Sequence, residues 1–304
     1  MSTRSDEQSA GPPAAGRPAA PPAAARPAAP LTAGRSEAPL AAARPAAPGV
    51  AEPPVALVTG VSRKVAIGAA ICRALCRDGW YVVATGYRPY DVSMPWGSRA
   101  EDPGELVEEL RAGSRGATWL EADLSAPTAG RELFDHAEAC GPVRALVNCA
   151  VHSTRGGLQE CSSEDFDRHM TVNAKATLLL SAEFARRFKG PPGCGRIVNF
   201  VSGPPLVGEI AYAASKGAIE WLTLSAAGEL AGKGITVNAV NPGPNDSGWM
   251  DEETATFVRD RSPLGRIGTP DDVAGLVAFL CSDAGRWITG QVLTCDGGWE
   301  RLRE

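Results

Sequence analysis

The sequence predicts an α/β protein with one doubly wound domain, in which seven parallel strands form a sheet with helices on both faces. Two patterns carry this expectation. From residue 54 onward, short β-branched and apolar runs alternate with longer helical patterns, the mark of βαβ units and a parallel sheet. No second linker interrupts that alternation, so all the runs belong to one domain over residues 54–304. Right-handed crossovers between parallel strands then place helices on both faces.

The elements follow in order. Residues 1–53 are Ala- and Pro-rich, with Arg-Pro-Ala-Ala units starting at Arg17, Arg26 and Arg44. Proline removes helical donors and the segment has almost nothing large and apolar to bury, so a disordered tail with polyproline II character is expected. The composition fits an inert tail better than a docking segment. Strands are expected at 55–59, 80–84, 117–121, 145–148, 196–201, 235–240 and 291–294. Helices are expected at 67–77, 104–112, 128–139, 163–188, 211–231 and 271–282, with a further helix running to about Arg259. Residues 86–103, with Tyr87, Tyr90, Met94 and Trp96, make a long connection. It reads equally as a packed surface loop or as a functional cover.

Composition excludes some functions. The chain has 304 residues, 44% hydrophobic and 21% charged, with a formal net charge of -5. A mildly acidic chain has no long-range attraction for phosphate backbones, so nucleic acid is not an expected partner. No apolar run is long enough to span a bilayer, so no membrane role is expected, and the first residues lack the apolar core of a secretory signal. Cytoplasm is the expected location. Cys72 and Cys76 read as small core residues rather than a redox or metal pair. His136, His152 and His169 read as scattered, so no metal is expected.

The first turn, Thr59-Gly60-Val61-Ser62-Arg63-Lys64-Val65-Ala66-Ile67-Gly68, joins a strand to a helix. Glycine there permits a tight turn and close backbone approach to a pyrophosphate, and the helix N-terminus offers N–H groups to phosphate. The second strand leads into Gly86-Tyr87-Arg88, with no acid to bind a ribose 2′-hydroxyl and repel a 2′-phosphate. Arg63, Lys64 and Arg88 are expected close by, and arginine forks onto phosphate. NADP(H) is therefore the preferred cofactor, with NAD(H) as the alternative. Further on, Tyr212 and Lys216 fall four apart on a helix and so share a face. An ordinary tyrosine titrates near 10, and a neighbouring cation would lower that. Ser202 ends the fifth strand, at the sheet edge where ligands bind. Asn173 sits within an apolar helix, where its amide needs partners.

These pieces, with Asp123-Leu124, Asn148-Cys149-Ala150, Pro242-Gly243 to Ser247 and Ile288-Thr289-Gly290 to Asp296-Gly297-Gly298, stand in an order that resembles the short-chain dehydrogenase/reductase family over residues 55–298. The resemblance implies a Rossmann fold that moves a hydride between a nicotinamide and a carbonyl or alcohol carbon. It implies Tyr212 as proton donor or acceptor, Lys216 as the cation beside it, Ser202 holding the substrate oxygen, and Asn173 holding a relay water. It implies cofactor contacts from Gly60, Ser62, Arg63, Ile67, Gly68, Tyr87, Arg88, Asp123, Leu124, Asn148, Ala150, Tyr212, Lys216, Pro242, Gly243 and Ser247. His152, Leu206, Trp249 and Met250 are candidate substrate contacts. Two departures stand out: Ala66 replaces the middle glycine of a lengthened turn, and the Ser202–Tyr212 loop is short, with Pro204-Pro205 expected to stiffen it. The resemblance points to ketoreductases of the 3-oxoacyl-carrier-protein or secondary-metabolite kind, acting on small or carrier-bound carbonyls. An NAD(P)-dependent alcohol or sugar dehydrogenase and a non-catalytic cofactor sensor or scaffold are the alternatives. A homotetramer or homodimer is expected, with Trp287, Ile288, Trp299 and Leu302 as interface contacts.

Overall fold

The computed structural model describes residues 52–203 and 206–299. The expected tail, the stiffening Pro204-Pro205 pair and Leu302 lie outside the described residues, apart from the tail's last two positions. Seven parallel strands form one sheet in the order β3-β2-β1-β4-β5-β6-β7. They are β1 (Val55–Thr59), β2 (Tyr81–Gly86), β3 (Ala117–Glu121), β4 (Val143–Asn148), β5 (Gly195–Phe200), β6 (Ile235–Asn241) and β7 (Val292–Thr294). The order reverses between β1 and β4, which opens a crevice beyond their C-terminal ends, where doubly wound sheets bind ligands.

Strand alternation feeds two cores. Ala56 and Val58 of β1, Val82 and Ala84 of β2, and Ala145 and Val147 of β4 face one side. There they meet α1 (Ile67–Arg77), α3 (Asp102–Ala112) and α9 (Pro270–Cys281). Val55 and Leu57, Val83 and Leu146 face the other side. They meet α4 (Ala129–Cys140), α6 (Ala176–Arg187) and α7 (Ile210–Leu230). Leu57 and Leu146 are fully buried, each burial worth roughly 2–3 kcal/mol. Cys72 and Cys76 are buried on α1, as small core residues.

The structure differs from the sequence reading in two places. Residues 86–103 are not all loop, because α2 (Arg88–Ser93) forms there with Pro89 in its first turn, where proline costs no hydrogen bond. The single helix expected over 163–188 is three pieces: α5 (Ser163–His169), a π-helical turn (Met170–Lys175) and α6. A π turn takes an extra residue, and this one carries the fully buried Asn173. The helix expected to run to about Arg259 is α8 (Glu252–Arg261), capped by the Asp251 carboxylate on the Thr254 N–H.

Candidate active site

The cleft at the strand ends is built from the first turn outward and has a volume of about 1760 Å3. Thr59 ends β1 buried. Its hydroxyl donates to the Val147 carbonyl (3.4 Å) and accepts from the Cys149 and Ala150 N–H groups (3.0 Å each), tying the β1 turn to the β4 turn. Gly60 follows at φ +78°, and a Cβ there would lie 2.7 Å from the Ala150 nitrogen and the Cys149 carbonyl. Only glycine fits such a position. Ala66, in place of the expected glycine, is the N-cap of α1 and gives its first turn no side-chain cap. The helix N-terminus therefore keeps N–H groups available for an anion.

Several expected cofactor contacts line this cleft: Gly60, Ser62, Arg63, Ile67, Gly68, Tyr87, Asp123, Leu124, Ala150, Pro242, Gly243 and Ser247. Two others do not. Asn148 is buried away from the cleft, donating to Asn199 Oδ1 (2.8 Å) and Ser181 Oγ (3.4 Å), so it stitches β4 to β5 and α6. Arg88 turns back to Glu121, with Nη2–Oε2 at 3.0 Å and Nε–Oε1 at 3.3 Å. Arg63 does line the cleft but pairs with Asp91 on α2 (3.2 Å), lies 5.5 Å over the Trp96 ring, and reaches the Gly248 carbonyl at 3.5 Å. Burial lowers its pKa despite Asp91. Lys64 pairs with Glu105 at 3.1 Å.

The catalytic candidates converge. Tyr212 lies in the first turn of α7 and Lys216 one turn later, with Lys216 Nζ 5.6 Å from the Tyr212 ring centroid. Lys216 Nζ donates to the Phe200 carbonyl at 2.8 Å, and burial pulls its pKa down to about 8. Tyr212 behaves oppositely to expectation. Burial pushes it up to about 12, outweighing the hydrogen bond from the Ser202 side chain, which pulls it down. Desolvation of the phenolate is the larger effect here.

Asn173 sits 0% exposed beneath the site. Its Nδ2 donates to the His152 carbonyl and the Ser215 hydroxyl (2.9 Å each), and its Oδ1 accepts from the His152 N–H (2.7 Å). Ser215 in turn donates to the Tyr212 carbonyl at 2.7 Å. The amide is committed to holding the His152 turn onto the α7 helix, which leaves one acceptor lone pair for a relay water. Asn173→Ala removes three buried hydrogen bonds and leaves Ser215 and the His152 peptide short of partners. A loss of roughly 2–4 kcal/mol is expected, read as a fall in denaturant midpoint with unchanged m.

Two of the three histidines are not scattered, while His136 stands apart on α4 against Thr118. His152 and His169 pack edge to face at 4.7 Å, and with Asp165 they offer ligand atoms within 4.8 Å of one another. The contacts within the group are already made. His169 Nε2 accepts from the Thr154 N–H (3.2 Å), so Nδ1 carries the proton and donates to the Asp165 carbonyl (2.8 Å). Asp165 Oδ1 accepts from the Thr154 hydroxyl at 2.6 Å. His169 thus has no lone pair left for a metal.

Of the candidate substrate contacts, His152, Leu206 and Trp249 line the cleft, whereas Met250 does not. Trp299 lines the cleft rather than an outer face, with its ring 6.3 Å from that of Phe257. Sequence reasoning missed Asn245, Glu209 and Asp91; Tyr90 and Trp96, from the long connection after β2, line the cleft beside them. The Tyr90 hydroxyl accepts from the Ser153 N–H (3.0 Å) and lies 3.2 Å from the Ser153 carbonyl, fastening α2 to the β4 turn. A nicotinamide dinucleotide fits this surface on three grounds: the uncapped α1, the Gly60 approach, and the buried Oγ1 and Oδ1 of the cleft-lining Thr85 and Asn245, which have no hydrogen-bond partner among the described residues.

A family model described as "Enoyl-(Acyl carrier protein) reductase" matches residues 60–300. The chain is 43% identical over 253 residues to the Bacillus subtilis (strain 168) protein named "Uncharacterized oxidoreductase YjdA", covering 81% of this chain and 97% of that one. It is 36% identical over 265 residues to an Arabidopsis thaliana "NADPH-dependent aldehyde reductase-like protein, chloroplastic", covering 81% and 93%. Among solved structures, a short chain dehydrogenase from Burkholderia cenocepacia J2315 in complex with NADP superposes with a TM-score of 0.71 at 38% identity, covering 80% and 96%.

Proposed function

The chain belongs to the short-chain dehydrogenase/reductase family of oxidoreductases, and from that premise we propose that it is an NADP(H)-dependent ketoreductase acting on a small or carrier-bound carbonyl compound. One observation carries this reading. A protonated Tyr212, hydrogen-bonded to Ser202 and flanked by Lys216, faces a cleft shaped for a dinucleotide. Gly60, Ser62, Ile67 and Gly68 would hold the phosphates, and Asp123 and Leu124 the adenine. Ala150 would line the groove, Lys216 would bind the nicotinamide ribose, and Pro242, Gly243 and Ser247 would orient the carboxamide. When bound, the cofactor supplies the hydride.

The chain's own groups do the rest. Ser202 holds the substrate oxygen and Tyr212 gives it a proton. Burial keeps that proton on Tyr212 at neutral pH, where it is available to the substrate oxygen. Lys216 is mostly charged at neutral pH and stabilises the phenolate as it forms. The test is loss of reduced-nicotinamide absorbance against a panel of diketones, 3-oxoacyl thioesters and cyclic ketones. Turnover with NADPH supports the reading. Tight NADPH binding without turnover on any of them favours the sensor alternative.

NADP(H) preference rests on the missing acid after β2 and on Arg63, while Arg88 is withdrawn to Glu121. The NADPH-dependent and NADP-bound relatives support it. Arg63→Ala removes a cation from the cleft and leaves the buried Asp91, still bonded by the Trp96 indole N–H, without its ion pair, so a 2′-phosphate loses an attraction and meets an uncompensated negative charge. The NADPH to NADH ratio of kcat/KM is expected to fall roughly 10- to 100-fold. An unchanged ratio removes Arg63 from 2′-phosphate recognition.

We also infer a homotetramer or homodimer. Leu178, Leu179, Trp221 and Leu224 on α6 and α7, and Trp287 near the C-terminus, are exposed, a larger apolar display than single scattered residues. Native mass spectrometry is expected to give an oligomer, and monomer alone would remove this inference. The eight free cysteines fit a reducing compartment, in keeping with the cytoplasm, and no helix among the described residues is long and apolar enough to cross a membrane.

A further inference from the structure

Two polar side chains on the substrate side of the cleft are used neither in proton transfer nor in holding the cofactor. His152 lines the cleft, with Nε2 buried and without a hydrogen-bond partner among the described residues. Asn173 clamps the His152 backbone through both its N–H and its carbonyl. The ring packs against Tyr90 at 5.3 Å and against His169 at 4.7 Å, so it is held in place. Burial, helped by His169, takes its pKa down to about 4. The imidazole is therefore neutral, with one N–H to donate.

Glu209 lines the same cleft, three residues before Tyr212 at the N-cap position of α7. Its side chain does not cap the helix. Among the described residues its carboxylate makes no hydrogen bond or ion pair, and it senses Arg155 and His169 only through space. Burial raises its pKa. A partly desolvated carboxylate and a partly desolvated imidazole, both short of partners, are unfavourable unless a ligand completes them. Glu209 lies close enough to Tyr212 to raise its pKa, and His169, on which the His152 ring packs, has its own ring 6.4 Å from that of Tyr212.

We propose that the substrate carries a hydroxyl group on the carbon next to the reacting carbonyl, and that His152 and Glu209 bind that hydroxyl. This deepens the reductase reading and rests on it. The hydroxyl donates to the Glu209 carboxylate and accepts from the His152 N–H. A second carbonyl at that carbon has no proton for Glu209, and an alkyl carbon satisfies neither group. The substrate class is an α-hydroxy ketone or α-hydroxy aldehyde, and its reduction gives a vicinal diol.

The test is kcat/KM with NADPH for matched pairs: 1-hydroxy-2-butanone against 2-butanone, and 2-hydroxyacetophenone against acetophenone. The native enzyme is expected to prefer the hydroxylated member by roughly a hundredfold. His152→Phe, which keeps the ring packing, and Glu209→Ala, which removes no helix cap, should each cut that preference at least tenfold. Glu209→Gln keeps an acceptor without the charge and should give a smaller cut, so the test survives if the alanine variant fails to fold. A preference unchanged in both His152→Phe and the Glu209 variant overturns the proposal and leaves the reductase reading standing, because ketones are still reduced. No turnover of either pair by the native enzyme overturns this inference alone, and the reductase reading is then decided by the diketones, 3-oxoacyl thioesters and cyclic ketones.

Discussion

Tyr212→Phe is expected to lose roughly 10²- to 10⁴-fold in kcat for carbonyl reduction while keeping its fold and its affinity for NADPH. The substitution deletes one oxygen and keeps the ring, so packing against His169 and over the Lys216 stem persists. Volume-conserving changes of this kind cost less than about 1.5 kcal/mol. What disappears is the proton that must reach the substrate oxygen as the hydride arrives. No other group described here substitutes for it. Ser202 is a hydroxyl with no cation to stabilise its conjugate base, and His152, held at about 4, carries no spare proton at neutral pH. Thermal melting, NADPH fluorescence titration and single-turnover reduction would be measured together. A variant that binds NADPH and still reduces ketones at more than a tenth of the native rate would take Tyr212 out of the proton path.

Much of the framework of this site was legible in the residues. The seven strands fall within two residues of their expected bounds, because each is a short buried run whose alternation is set by two cores. Tyr212, Lys216 and Ser202 meet where the pattern put them, since i,i+4 spacing and strand-end position are local geometry. The misses come from long-range pairing. Arg88 follows β2 as expected, yet Glu121 at the end of the neighbouring β3 captures it, and strand register is what brings the two together. Asn148 is drawn inward by Asn199, its register partner on β5.

The lysine-lowers-tyrosine expectation failed because it weighed charge without desolvation. Spacing gives the neighbour, but only the packed structure shows how little water reaches the phenol. His152 and His169 seemed unrelated because 17 positions separate them; the π turn and the Asn173 clamp bring the β4 turn down onto α5. Residues 86–103 read as a loop because Pro89 and Pro95 break any long periodic pattern, although the first sits harmlessly at the start of a helix. Asn245 gave no signal at all. Its role as a brace, with Nδ2 donating to the Pro242 carbonyl at 2.7 Å and the backbone carbonyl accepting the Trp249 indole N–H at 3.0 Å, depends on how the chain turns between Pro242 and Ser247, not on the residues that mark that piece.

Lys216→Met separates charge from structure and should cost at least about 10² in kcat/KM for reduction. The lysine is buried with one carbonyl partner, so its charged form is disfavoured in the folded state, and its pKa drops from 10.5 to about 8. The folded pKa lies below the unfolded one, so the folded protein carries a penalty for the charge at pH 7. Stability therefore rises as pH climbs from about 8 toward 10.5. Methionine has similar length and removes that penalty, at the expense of the Phe200 carbonyl's donor. The two effects oppose, and the melting temperature at pH 7 should stay within a few degrees of the native value. Catalysis has no such offset, since the phenolate left when Tyr212 gives up its proton would then face a buried, uncharged wall. The same reasoning fixes the pH profile. Native reduction should be flat from pH 6 to 7 and fall above about 8 as Lys216 loses its proton, whereas the residual activity of Lys216→Met should show no inflection there. A native profile flat to pH 10, or a Lys216→Met profile that keeps the inflection, would assign the effect to another group.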